Sequence, residues 1–136
     1  AVEGSEFSEK IIPAAVGMAK SLNSRITLVQ ALPAESAQAA RANVPLGDVL
    51  ESSYLQTTAA QIKKRYQIEA SWDVLHGEAG DAICGYVNGM ENTLLAMTSH
   101  ARGGLERVVF GSVAATCIRH AGVPILIYWP EQQISK

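Results

Sequence analysis

Short apolar runs alternate along the chain with longer, mixed segments. Residues 25–32 (RITLVQAL) are rich in β-formers, and 68–75 (IEASWDVL) alternate loosely. Residues 93–98 (TLLAMT) are almost wholly apolar, and 124–129 (PILIYW) are β-branched and aromatic. Runs this continuous belong to strands covered on both faces, hence to a parallel sheet. Between them the period changes. Ile11, Ala15, Met18, Ala19 and Leu22 fall on one face of a helix, and Pro13 is expected to kink that helix or strain its first turns. A second helix is expected over 54–67, with Leu55, Ala59, Ile62 and Tyr66 as its stripe and Lys63, Lys64 and Arg65 facing water. A third, over 81–90, holds Ile83 and Val87. The last, over 113–121, carries the clearest signals: Ser112 as N-cap, Arg119 and His120 at the negative end of the helix dipole, then Gly122 and Pro124 to stop it. Residues 33–50, rich in Ala, Ser, Pro and Gly, are expected to be a mobile connection with one helical turn near 36–42.

This order predicts βαβ units with right-handed crossovers, giving an α/β fold with helices on both faces of a parallel sheet. The strand at 93–98 is expected to be central and that at 124–129 an edge, with Leu94, Leu95, Met97, Ile125 and Ile127 nearly buried. The chain opens on what reads as the end of a strand. An N-terminal strand is therefore expected to be cut short before Ala1, or the chain to be one module of a longer protein.

Composition narrows the function classes. A length of 136 residues suits one domain, spanning 1–136. Hydrophobic residues at 48% and charged residues at 18% make it globular rather than disordered. A net charge of −2 argues against a nucleic-acid partner. No apolar run approaches about 18 residues, so no membrane partner or spanning helix is expected. Cys84 and Cys117 have no CxxC spacing and read as buried, reduced thiols, which suggests a cytoplasmic setting.

In an open α/β sheet, ligands bind beyond the carboxyl ends of the strands. Four loops qualify: Glu3-Gly4-Ser5, the loop that begins at Ala31, Gly77-Glu78-Ala79-Gly80, and the long loop from Thr98 to Ser112. The last contains three glycines and two arginines and runs into a helix start. Backbone N–H groups there, the Ser112 hydroxyl and Arg102 make a candidate phosphate cradle. His100 has no second ligand at metal spacing and reads as solvent-facing; no structural metal is expected. Ser112 has no identifiable base, and no catalytic arrangement is visible, so the chain does not read as an enzyme.

The segment 99–127 (SHARGGLERVVFGSVAATCIRHAGVPILI) resembles the C-terminal signature of the universal stress protein family. That signature is Gly, two residues, Gly, nine residues, then Gly followed by Ser or Thr. Its positions are occupied here by Thr98, Ala101, Gly111 and Ser112. The opening Glu3-Gly4-Ser5 is similar to the family's Asp-Gly-Ser start, and HGEAGDAI at 76–83 to its turn after the third strand. The resemblance implies an open five-stranded parallel sheet of order 3-2-1-4-5, an adenine nucleotide alpha hydrolase-like architecture. It also implies a homodimer through the last strand, at Ile125, Ile127 and Trp129, and in some members a crevice for ATP or AMP. In such a crevice Ala1, Glu3 and Ala31 would meet the nucleoside. Thr98, Ala101, Arg102, Gly111, Ser112 and Val113 would meet ribose and phosphates. The chain departs from the binding pattern at Glu3, one methylene longer than Asp, and at Thr98 and Ala101, where a Cβ stands in place of glycine's hydrogen. Two readings follow: a nucleotide-binding stress-response module with a weakened motif, or a dimerisation and interaction module that binds no nucleotide.

Overall fold

The computed structural model describes residues 9–32, 46–98 and 111–128. In chain order the elements are α1 (Ile11–Ser21), β1 (Ile26–Leu32), α2 (Leu46–Tyr66), β2 (Ala70–His76), α3 (Ala79–Val87), β3 (Leu95–Thr98), α4 (Ser112–His120) and β4 (Ile125–Tyr128). β1 pairs in parallel with β2, in register Ile26 to Ala70 through Leu32 to His76. β3 pairs in parallel with β4, Leu95 to Ile125 through Thr98 to Tyr128. Among the described residues these are two two-stranded sheets. The strand expected before and around Ala1 lies outside the described residues.

Two core clusters show which face each helix covers. Val16, Leu28, Leu55, Ala59 and Ile62 form one, with Val74 of β2 packed against it. Ile83, Cys84, Val87, Leu95, Met97, Ala114 and Cys117 form the other, with Leu75 packed against it. Val74 and Leu75 are consecutive, and consecutive strand residues point to opposite faces. Helices α1 and α2 therefore lie on one face and α3 and α4 on the other. Leu55 and Cys117 are wholly buried; enclosing a leucine side chain stabilises by about 1.5–3 kcal/mol.

The α1 stripe is rotated from its expected position. Ile11, Val16 and Ala19 are buried, whereas Met18 and Leu22 are exposed. Val16 makes the contact with Leu28 and Leu55, which turns Met18 and Leu22 onto the flank. Pro13 causes no break because α1 begins at Ile11, so the proline falls in the first turn, where an N–H has no intrahelical acceptor. Helix α2 starts at Leu46, so the last five residues of the expected connection 33–50 are helical; residues 33–45, including the expected turn near 36–42, lie outside the described residues. Helix α3 runs two residues earlier than expected and ends at Val87, before Gly89 at φ +82°. Helix α4 ends at His120 with Ala121, in an extended conformation, as its C-cap.

In β3, Leu95 and Met97 are buried as expected, but Leu94 precedes the strand and is exposed. Ile125 and Ile127 are half-buried rather than enclosed, and both pack against the α3–α4 cluster.

Candidate functional site

The carboxyl ends of the strands bring together the turns that open α3 and α4. At the end of β2 the Gly77 N–H donates to the Leu32 carbonyl at 2.8 Å, closing the ladder with β1. Gly77 has φ +124°, a conformation that only glycine adopts without strain. Glu78 follows as the N-cap of α3. Its carboxylate accepts from the Gly80 N–H at 3.1 Å and the Asp81 N–H at 2.8 Å. These two bonds, Asp81's first, hold the Glu78 carboxyl below the ordinary glutamate range. The start of α3 is thus closed by the chain's own anion.

The start of α4 differs. Gly111, not Ser112, is the N-cap, at φ −57° and ψ 161°, and it contributes no side-chain cap. Ser112 is the first helical residue and is exposed. The first intrahelical bond runs from the Ala115 N–H to the Gly111 carbonyl at 2.9 Å. The N–H groups of Ser112 and Val113 therefore precede any intrahelical acceptor, at the positive end of the helix dipole. Among the described residues, a Cβ built on Gly111 meets nothing within 4 Å. The Val113 side chain turns inward and packs on the α3–α4 cluster, leaving its backbone as the part that can face a ligand.

The two helix starts are mechanically joined. A Cβ on Gly80 would lie 2.8 Å from Thr116 Cβ and Cγ2, so α3 and α4 cross at this point with no room for a larger residue. The Thr116 hydroxyl donates to the Ser112 carbonyl at 2.9 Å, and the Cys84 thiol lies 3.9 Å from the Thr116 carbonyl. Cys84 and Cys117 are free, buried thiols, as expected from their place on helical stripes. Burial, and then the neighbouring Cys84, pushes the Cys117 thiol up to about 12, so it is an uncharged packing residue near neutral pH. Burial, and then the Asp73 carboxylate, also raises the Tyr86 phenol.

Of the expected site residues, Gly111, Ser112 and Val113 stand together as the first turn of α4. Thr98 is the last residue of β3, half-buried and in register with Tyr128. Ala31 stands near the end of β1, half-buried and in register with Leu75. Ala1, Glu3, Ala101, Arg102 and His100 lie outside the described residues, as does Trp129. Glu78 and Gly80 stand in one of the four expected ligand loops, and the structure adds the Glu78 cap and the contact of Gly80 with Thr116. An acidic residue two positions before Gly80-Asp81 is a readable N-cap signal; the Gly80–Thr116 contact has no local signal. Among the described residues no group of three or more His, Cys, Asp or Glu side chains could hold a metal.

The model of the universal stress protein family matches residues 1–128. No curated protein sequence matches the chain significantly. Several solved structures share the fold. A universal stress protein from Archaeoglobus fulgidus superimposes with a TM-score of 0.72 at 21% identity, covering 93% of this chain and 92% of its own. A universal stress protein solved in complex with cAMP gives 0.70 at 18% identity, over 96% of this chain and 93% of its own. The Archaeoglobus fulgidus protein in complex with dAMP gives 0.67 at 19%, over 93% and 91%.

Proposed function

The chain belongs to the universal stress protein family, and from that premise we propose that the carboxyl edge of its sheet is an adenine-nucleotide crevice, of ATP or AMP type. The protein is then a stress-response binding module rather than an enzyme. The observation that carries this reading is the contrast between the two helix starts. The start of α3 is filled by Glu78, while the start of α4 has a glycine cap with no side chain and, among the described residues, no neighbour within 4 Å of where a Cβ would stand. An anion gains there from first-turn N–H donors that have no intrahelical acceptor and from the dipole. The relatives solved with cAMP and dAMP support the choice of ligand class. In this reading the phosphates lie on Gly111, Ser112 and Val113, assisted by Arg102. The nucleoside lies toward Ala1, Glu3 and Ala31. Thr98 and Ala101 limit affinity, because a Cβ crowds the approach of backbone to phosphate. The sheet order 3-2-1-4-5 belongs to the same proposal, with the N-terminal strand between β1 and β3; the two parallel pairs β1–β2 and β3–β4 are those this order requires.

Isothermal titration tests the crevice. Thr98→Gly with Ala101→Gly is expected to tighten ATP binding and Gly111→Val to weaken it. The Gly111 φ is not left-handed and its Cβ would meet no neighbour among the described residues, so the valine is expected to enter the ligand's space; circular dichroism checks that the variant is folded. A parent that binds no nucleotide at millimolar concentration, with a double-glycine variant that binds no better, refutes the crevice and leaves the interaction module.

The proposal includes a homodimer through β4. An apolar edge strand is a template for pairing, and a two-fold axis would cover it. Ile127→Asp is expected to give monomers or aggregates. Because Ile127 also packs on the α3–α4 cluster, circular dichroism must show the variant folded. Leu126→Lys, on the other face of the strand, provides a second disruption. A monomeric parent in sedimentation equilibrium refutes the interface.

A further inference from the structure

A side-chain carboxylate stands where the fold could have offered a second anion-binding helix start. Glu78 is held there by two N–H bonds, at 3.1 Å from Gly80 and 2.8 Å from Asp81. It cannot swing away without uncapping α3. Glu78 is also tied to the start of α4 through a short chain of contacts: Glu78 to Gly80, Gly80 against Thr116, and the Thr116 hydroxyl to the Ser112 carbonyl at 2.9 Å. A fixed negative charge thus sits at the same edge as the α4 start, whose glycine cap supplies no side chain. Resting on the nucleotide reading above, we propose that Glu78 makes the crevice select nucleoside monophosphates over triphosphates. A monophosphate places its charge on the first turn of α4 alone. Each further phosphate adds negative charge at an edge where the neighbouring α3 start already holds a carboxylate. Glu78 fills that start and repels the added charge, so the discrimination rises with phosphate number. The carboxyl is depressed by its backbone donors, so it is ionised at neutral pH and the repulsion is present under ordinary conditions.

Isothermal titration of the full chain with AMP and with ATP, in EDTA so that no divalent cation neutralises the phosphates, tests this. The parent is expected to bind AMP more tightly than ATP. Glu78→Gln keeps an acceptor oxygen for the cap and removes the charge. It is expected to tighten ATP roughly three- to tenfold and leave AMP within about twofold, the range for one screened unit charge near a protein surface. The gain is expected to shrink at about 1 M salt. Glu78→Ser, an uncharged N-cap residue, repeats the test if the Gln variant does not fold. A parent that prefers ATP, or variants that shift AMP and ATP equally, overturn the role of Glu78 while leaving the crevice standing. Binding of neither nucleotide by parent or variants overturns the crevice itself, and the selectivity with it.

Discussion

Gly80→Ala adds a single methyl group where α3 and α4 cross. Its Cβ would stand 2.8 Å from both Cβ and Cγ2 of Thr116 and 3.2 Å from Oγ1. Optimal carbon–carbon contact is about 3.5–4.0 Å, so the helices must separate by roughly 1 Å. Rotation of Thr116 gives little relief. Its Cβ is fixed to the helix backbone, and its hydroxyl is committed to the Ser112 carbonyl. Overpacking of this kind costs about 1–3 kcal/mol. Alanine's better helix propensity returns at most about 1 kcal/mol, and less in the first turn. The net expectation is a loss of about 1–2 kcal/mol, which for a chain of this size lowers the thermal midpoint by roughly 3–8 °C. The same helix supplies a control. Among the described residues a Cβ on Gly85 meets nothing within 4 Å, so Gly85→Ala is expected to stabilise slightly. Adding Thr116→Gly to Gly80→Ala removes the opposing Cβ, and the pair is expected to couple favourably in a double-mutant cycle. Thermal melts followed by circular dichroism measure the parent, the three single variants Gly80→Ala, Gly85→Ala and Thr116→Gly, and the double variant. If Gly80→Ala melts at or above the parent, or indistinguishably from Gly85→Ala, the tight crossing of α3 on α4 is refuted.

Gln30 is buried on β1, and its Oε1 has no hydrogen-bond partner among the described residues. Gln30→Met, similar in volume, is expected to stabilise by about 1 kcal/mol, and a lower urea midpoint would contradict the reading of that oxygen as unpaired. Glu78, whose carboxyl is lowered by the Asp81 and Gly80 N–H groups, contributes stability that is present above the unfolded carboxylate range and lost as pH falls through its folded value. The stability difference between parent and Glu78→Gln is therefore expected to be largest near neutral pH and to shrink as pH falls through the lowered folded value; a difference independent of pH would show that the charge does not cap α3.

How much of the molecule was legible in the sequence follows from the range of the forces involved. The α/β alternation and parallel pairing were readable because a strand covered on both faces must be apolar at every position, as in 93–98 and 124–129. The helices at Leu55–Ala59–Ile62 and around Ile83–Val87 were readable from a period that local geometry imposes. The first-turn place of Gly111–Ser112–Val113 was also visible, since glycine, serine and the later stop at Pro124 act within a few residues. The rest depended on partners distant in the chain. Which flank of α1 is buried was decided by Val16 meeting Leu28 and Leu55, and no rule of spacing within 11–22 separates Val16 from Met18. Whether Ser112 or Gly111 caps α4 depended on where the incoming chain turns into the helix. The crossing of Gly80 on Thr116 joins residues 36 positions apart. Such contacts are selected by packing in three dimensions, and a one-dimensional pattern of polarity does not encode them.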